Sequence, residues 1–143
     1  MTVVRVDQGM AAAAVAALPP RVDKDLRTRY KQLRVMLHTA GLAATYAFIA
    51  SKAGDTDSAG TSGAYRKVAD GIRDRLAELN LLSGDARTLG VRDVLRQLGT
   101  MGPVPYARAS AEATAFAGWL SRLADAAYQE ENGATAEGGD DAA

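Results

Sequence analysis

The sequence predicts an all-α fold, a compact bundle of about six helices with a disordered acidic C-terminal tail. Three observations lead there. Apolar residues recur at three- and four-residue steps through most of the chain, the spacing of one helix face. No window alternates with period two, as a half-buried strand would. The last twelve residues, NGATAEGGDDAA, carry no apolar periodicity at all. The expected organisation is a helical bundle domain at residues 1–131 and a disordered acidic tail at 132–143.

The first helix is the run GMAAAAVAAL from Gly9 to Leu18, and Pro19-Pro20 ends it. Its length suits the core of a signal peptide. Against that, its one preceding cation, Arg5, is offset by Asp7, and the run is mostly weakly apolar alanine. The second helix shows Leu26, Tyr30, Leu33 and Leu37 on one face, and Gly41 separates it from the third. From Val35 to Ser51 there is no Asp, Glu, Lys or Arg. A membrane span needs about 20 mainly apolar residues, and His38, Thr39, Gly41, Thr45 and Ser51 make this stretch too short and too polar. It is therefore expected to be a central hairpin helix enclosed by its neighbours, with Phe48 in the core.

Asp55 to Ser62 reads as a loop, with Thr61 or Ser62 placed to cap a fourth helix beginning near Ala64. That helix presents Tyr65, Val68, Ile72, Leu76 and Leu79. A turn at Ser83-Gly84-Asp85 leads to a short fifth helix, Val91 to Leu98, and Gly102-Pro103-Val104-Pro105 precedes the last. In the last helix Tyr106, Ala109, Ala113, Phe116, Leu120, Leu123 and Ala127 alternate three and four apart, with Trp119 beside the seam. A two-stranded coiled coil has the same seam, but alanine at 109 and 113 favours close packing within a bundle.

The chain has 143 residues, 48% of them hydrophobic, enough for one domain with a real core. It has no cysteine, so no disulfide framework points to secretion, and a cytoplasmic address is the expectation. The formal net charge of zero conceals a segregation. Five of the 17 acids, Glu130, Glu131, Glu137, Asp140 and Asp141, fall in the last fourteen residues, where there is no cation. The first 129 residues thus hold 17 Lys and Arg against 12 acids, a net charge of +5.

Catalytic and metal-binding motifs are incomplete wherever they begin. DTDSAG at Asp55 to Gly60 starts like a calcium loop, but position five is Ala59 and position twelve is Arg66 where a bidentate Glu is required. Gly54, Gly60 and Gly63 near Lys67 lack the Gly-Lys-Ser/Thr end of a phosphate loop, and a flexible linker is the better reading. His38 is the lone histidine, so zinc sets cannot be assembled, and it reads as a helix-surface residue. Glu112 in the last helix is expected to pair with a nearby arginine, for instance Arg108 one turn earlier. No nucleophile, base and oxyanion set can be named, so the chain is expected not to be an enzyme and to need no cofactor, metal or small-molecule substrate.

One positive feature remains. Lys24, Arg27, Lys31, Arg34 and His38 form a stripe on the second helix, displaced by one residue, about 100°, from its apolar face. No acid interrupts it in sequence after Asp25. Such a stripe is either a solvated face or a surface for polyanions. By contrast, Arg66 has Asp70 one turn on, which partly neutralises the fourth helix.

The stretches YKQLRVMLHTAGLAATYAFIASK at Tyr30 to Lys52 and YARASAEATAFAGWLSRLADA at Tyr106 to Ala126, with a Tyr-led helix at Tyr65 between them, resemble a known family. This is the small α-helical subunit of the Cmr complex, the type III-B CRISPR effector. The family shows a Tyr-initiated helix running into Gly-Leu, then Thr-x-Ala-Phe ending in Ser-Lys. Its terminal motif is Tyr-x-x-x-Ser/Thr-x-Glu-Ala followed by Trp-Leu-x-Arg. The resemblance covers roughly Met10 to Tyr128. Two departures are the missing Pro before Gly41-Leu42 and Ser121 where Lys is common.

The resemblance implies a non-catalytic subunit of an antiviral ribonucleoprotein. Its implied partners are the backbone subunits, the Cas10-type large subunit, further copies of itself, and the crRNA with its target RNA. The matched residues that would face RNA or a neighbour are Lys31, Lys52 and Arg122. Lys24, Arg27 and Arg34 join them as candidate RNA-binding residues from charge geometry alone. Tyr30, Phe48, Glu112 and Trp119 match the motifs and are assigned to the core. The alternative reading is a helical adaptor that binds only protein, its basic face docking an acidic partner.

Overall fold

A computed structural model describes the backbone of residues 6–54 and 61–141 and the side chains of residues 8–54 and 62–131. Six α-helices account for nearly all of it: α1 (Val6–Ala17), α2 (Lys24–Ala40), α3 (Leu42–Lys52), α4 (Thr61–Glu78), α5 (Val91–Thr100) and α6 (Pro103–Asp141). A single 3₁₀ turn, Ala86–Thr88, precedes α5, and no strand occurs among the described residues. The all-α bundle expected from the periodicity is what forms.

α6 is the axis of the bundle, and its most extensive packing is against α2, with α1 and α4 also laid on it. The seam supplies the reason. Ala109, Ala113, Phe116, Ala117, Leu120 and Ala124 are all buried, and the small ones let neighbouring helices approach closely. At Gly71 of α4 the approach is closest: a Cβ there would stand 2.7 Å from Cζ of Phe116. The expected faces of α2 and α4 are buried too, through Leu26, Tyr30, Leu33 and Leu37 on one and Tyr65, Val68, Ile72 and Leu76 on the other.

The helix ends follow local chemistry. Asp23 caps α2, its Oδ1 accepting from the amide of Leu26 at 2.7 Å. Gly41 stands at φ +93°, a conformation that side chains rarely adopt, so α2 and α3 are joined by a single residue. Tyr106 then closes the turn: its hydroxyl accepts from the amide of Ala43 at 3.1 Å. α5 packs mainly on α3. Its tether to the preceding loop is Gln97, whose amide side chain bonds both the N–H and the C=O of Ser83, at 2.7 and 2.9 Å.

Several expected boundaries move. α4 begins at Thr61, so Thr61 and Ser62 lie within its first turn rather than ahead of it. α6 begins at Pro103, inside the Gly-Pro-Val-Pro stretch, because proline is well suited to the first turn of a helix, where its missing N–H is not needed. The calcium-like loop at residues 55–60 lies outside the described residues. The backbone of α6 runs on through Asp141 with no helix end at Asn132, and side chains from 132 onward lie outside the described residues. The division into a body and a separate tail stays an expectation.

The charge-free stretch from Val35 to Ser51 is only half interior. Leu42, Thr45, Tyr46 and Ile49 are buried, while Val35, His38, Thr39, Ala40 and Ala44 are exposed. Phe48 and Trp119, expected in the core, are partly buried residues packed against its edge. α3 is covered by α4, α5 and α2, with α6 meeting it more lightly, and its remaining side faces solvent.

Candidate nucleic-acid interface

The cationic stripe of α2 stands beside α6, and the two helices run antiparallel. Arg27 meets Asp125 and Tyr128 near one end, and Gly41 comes close to Tyr106 at the other. Between them lies an open groove of about 640 Å³, lined by Lys31, Arg34, Val35, His38, Thr114 and Ser121. Lys24, Lys31 and Arg34 are exposed and Arg27 is half-buried. His38 is on the surface, as expected, at the far end of the same groove. A second open concavity of about 750 Å³ continues past the start of α2, with Arg21, Lys24, Tyr128 and Glu131 in its walls.

The stripe is not uninterrupted. Asp125 of α6 reaches into it, its Oδ1 lying 3.0 Å from Nε of Arg27 and 3.3 Å from Nζ of Lys31. Arg27 also lays its guanidinium over the ring of Tyr128, 4.6 Å from the centroid. The uninterrupted charge seen along α2 is therefore partly neutralised across the helix pair, which helical spacing within one element cannot show. Arg34 forms no ion pair among the described residues. Arg122 is exposed on α6 one turn before Asp125 and is not among the residues that line the groove.

Lys52 belongs elsewhere. Its Nζ lies 5.9 Å from the ring centroid of Phe48, which meets Tyr65 edge-on at 6.2 Å, and Arg29 covers the other end of the row, 5.9 Å from the Tyr65 centroid. Arg29 donates to the Tyr65 hydroxyl at 3.1 Å, and that bond holds the guanidinium above its usual range. Arg29 is two residues from Arg27, about 200° around α2, so this cluster occupies a different side of the helix. The candidates thus divide into the four on α2, Arg122 exposed on α6, and Lys52. Arg29 was missed by the sequence reading. It is off the cationic stripe, and its aromatic partner is 36 residues away.

Glu112 does not pair with Arg108. It reaches α4, where its Oε2 is 3.9 Å from Nε of Arg75, while Arg108, one turn earlier on α6, is exposed. Arg75 is buried at 7% exposure and its Nη1 also reaches Glu78 at 3.4 Å. Nε of Arg75 and Oε2 of Glu112 have no hydrogen-bond partner among the described residues, so this is a long, largely buried ion pair joining α4 to α6. No group of three or more His, Cys, Asp or Glu suited to a metal ion occurs among the described residues. No described helix is long and apolar enough to cross a membrane.

Nothing among curated proteins and nothing among solved structures matches the chain. A family model described as CRISPR-associated protein (Cas_Cmr5) matches residues 7–127. That span takes in all but the last residues of the bundle, including the α2–α6 groove and both motif stretches. The chain belongs to this family, the small subunit of the type III-B Cmr complex.

Proposed function

We propose that the protein is a non-catalytic subunit that stacks in several copies along the backbone of the effector particle, in the cytoplasm, and helps hold crRNA-paired target RNA in antiviral defence. The observation that carries this reading is the run of cations on α2, Lys24, Arg27, Lys31 and Arg34, beside an open groove against α6, a helix that also exposes Arg122. A guide strand supplies sequence by pairing, so such a subunit needs only a surface that tracks phosphates. Arginine and lysine beside a shallow groove provide that without reading bases. Lys52 and Arg29 offer a second, separate contact.

The test is binding of the purified chain to single-stranded RNA of unrelated sequences. If about four phosphates are neutralised, a slope of about −0.7 per contact predicts roughly a 50-fold loss of affinity between 50 and 200 mM salt. Equal affinity for unrelated sequences is expected. Binding to acidic peptides with no measurable binding to RNA would instead support the protein-only adaptor. One observation favours that second reading: Arg27 and Lys31 already hold a carboxylate between them.

A further inference from the structure

We propose that Phe48, framed by Lys52 and Arg29, is a stacking site for an unpaired nucleobase of single-stranded RNA, separate from the α2–α6 groove. This rests on the reading of the chain as RNA-binding and names what its second contact holds.

Phe48 presents a ring at the surface. It packs against the edge of the core and is only partly buried. On its own helix the positions one turn away, Ala44 and Ser51, are exposed and small, so α3 puts no roof over it. Nζ of Lys52 lies over the ring, 5.9 Å from the centroid, and that lysine is itself exposed, so the face beneath it opens to solvent. From α4 the buried Tyr65 meets the ring edge-on at 6.2 Å and braces it.

The cations supply the rest of the site. Arg29 is exposed, 5.9 Å from the Tyr65 centroid, and anchored by its 3.1 Å bond to the Tyr65 hydroxyl. Neither Arg29 nor Lys52 forms an ion pair among the described residues, and Asp25 and Asp23 act on Arg29 only through space. The row therefore runs cation, ring, ring, cation with no carboxylate in it. A ligand matched to that row is flat and apolar at its centre and anionic on both sides, as a nucleotide within a strand is. Every base has a π face, so stacking adds grip without adding sequence preference. Unpaired bases can use it, because their faces are free to be splayed onto an aromatic side chain.

The test uses the full chain and two strands of equal length, oligouridylate and an abasic ribose-phosphate strand. Wild type is expected to bind oligouridylate at least about fivefold more tightly at fixed salt. Phe48→Leu, which keeps an apolar side chain at the core edge, should bring the two affinities together and leave the salt slope as it was. K31E with R34E in the groove should do the opposite, weakening both strands and flattening the slope while keeping the preference. Fluorescence gives a readout independent of affinity. In the F48W W119F chain the sole tryptophan is at position 48, and a base stacked on it should quench its emission, whereas the abasic strand should not.

Equal affinity of wild type for the two strands overturns the inference, as does binding of oligouridylate without quenching. Either result leaves RNA binding by the groove intact. Quenching by an acidic peptide but not by oligouridylate also overturns it, assigning the site to a protein partner. The RNA reading itself fails by a different result, no binding of either strand.

Discussion

Oδ1 of Asp125 lies 3.0 Å from Nε of Arg27, a carboxylate of the last helix set into the cationic stripe of the second. Because the same oxygen also reaches Lys31, one substitution changes the effective charge of two candidates. Asp125→Asn is expected to raise affinity for single-stranded RNA and to steepen its salt dependence by about 0.7 for each cation released. Both partners are substantially exposed, so the stability cost should be small, about 0.5 kcal/mol. Unchanged RNA affinity, measured by fluorescence anisotropy across a salt series, would place the RNA contact away from the α2–α6 groove.

Gly71 and Phe116 set the distance between α4 and α6. Gly71→Ala puts a methyl group 2.7 Å from the Phe116 ring and is expected to destabilise the fold by about 1–3 kcal/mol, read from the urea midpoint. Phe116→Leu in the same chain should recover part of that loss by making room. If the double variant is no better than the sum of the two singles, the close approach is not the cause.

Tyr30 is buried, and its hydroxyl has no hydrogen-bond partner among the described residues. Burial raises its pKa, because the phenolate would lose its hydration, with the nearby Tyr65 adding to the effect. The unfolded chain therefore releases this proton at about pH 10, where the folded chain retains it, and stability falls as pH rises above that value. Tyr30→Phe has no such loss. It should match or exceed wild-type stability at pH 7, since an unpaired buried hydroxyl is removed. Its advantage should widen from about pH 10 upward, a difference visible in parallel chemical denaturation at pH 7 and pH 10.5.

Tyr106→Phe removes the acceptor for the Ala43 amide at the start of α3. A loss of about 1 kcal/mol is expected in thermal or chemical unfolding. Charge-neutral and at the opposite end of α2 from Lys24 and Arg27, this change should leave RNA affinity as it was.

The helices were legible because each carries its own apolar spacing, and burial of one face is a property of the single element. What the sequence left out lies between elements. Glu112 has Arg108 one turn away in sequence, yet pairs with Arg75, 37 positions earlier, because α4 lies on that side of α6. Asp125 is 94 residues from Lys31, so the neutralisation of the stripe is invisible in α2 alone. Phe48 and Trp119 match their motifs but pack at the edge of the core, since hydrophobicity predicts contact and not depth. Of the candidate site, the α2 residues were found by charge spacing; their division from Lys52 needed the third dimension.

α5 rests chiefly on α3, burying Val94 and Leu98, and two bonds between Gln97 and the Ser83 backbone clamp it to the preceding loop. α2 and α6, by contrast, bury whole faces against each other. Opening α5 would expose Val94 and Leu98, uncover one side of α3 and break a loop clamp, whereas parting α2 from α6 dismantles the main core. In amide hydrogen exchange the molecule should then divide into two cooperative units, with α5 exchanging through a partial opening well before global unfolding. Surfaces needed for assembly on α2 and α6 would stay rigid through that opening, and a partner grasping α5 would meet a segment that can reshape itself.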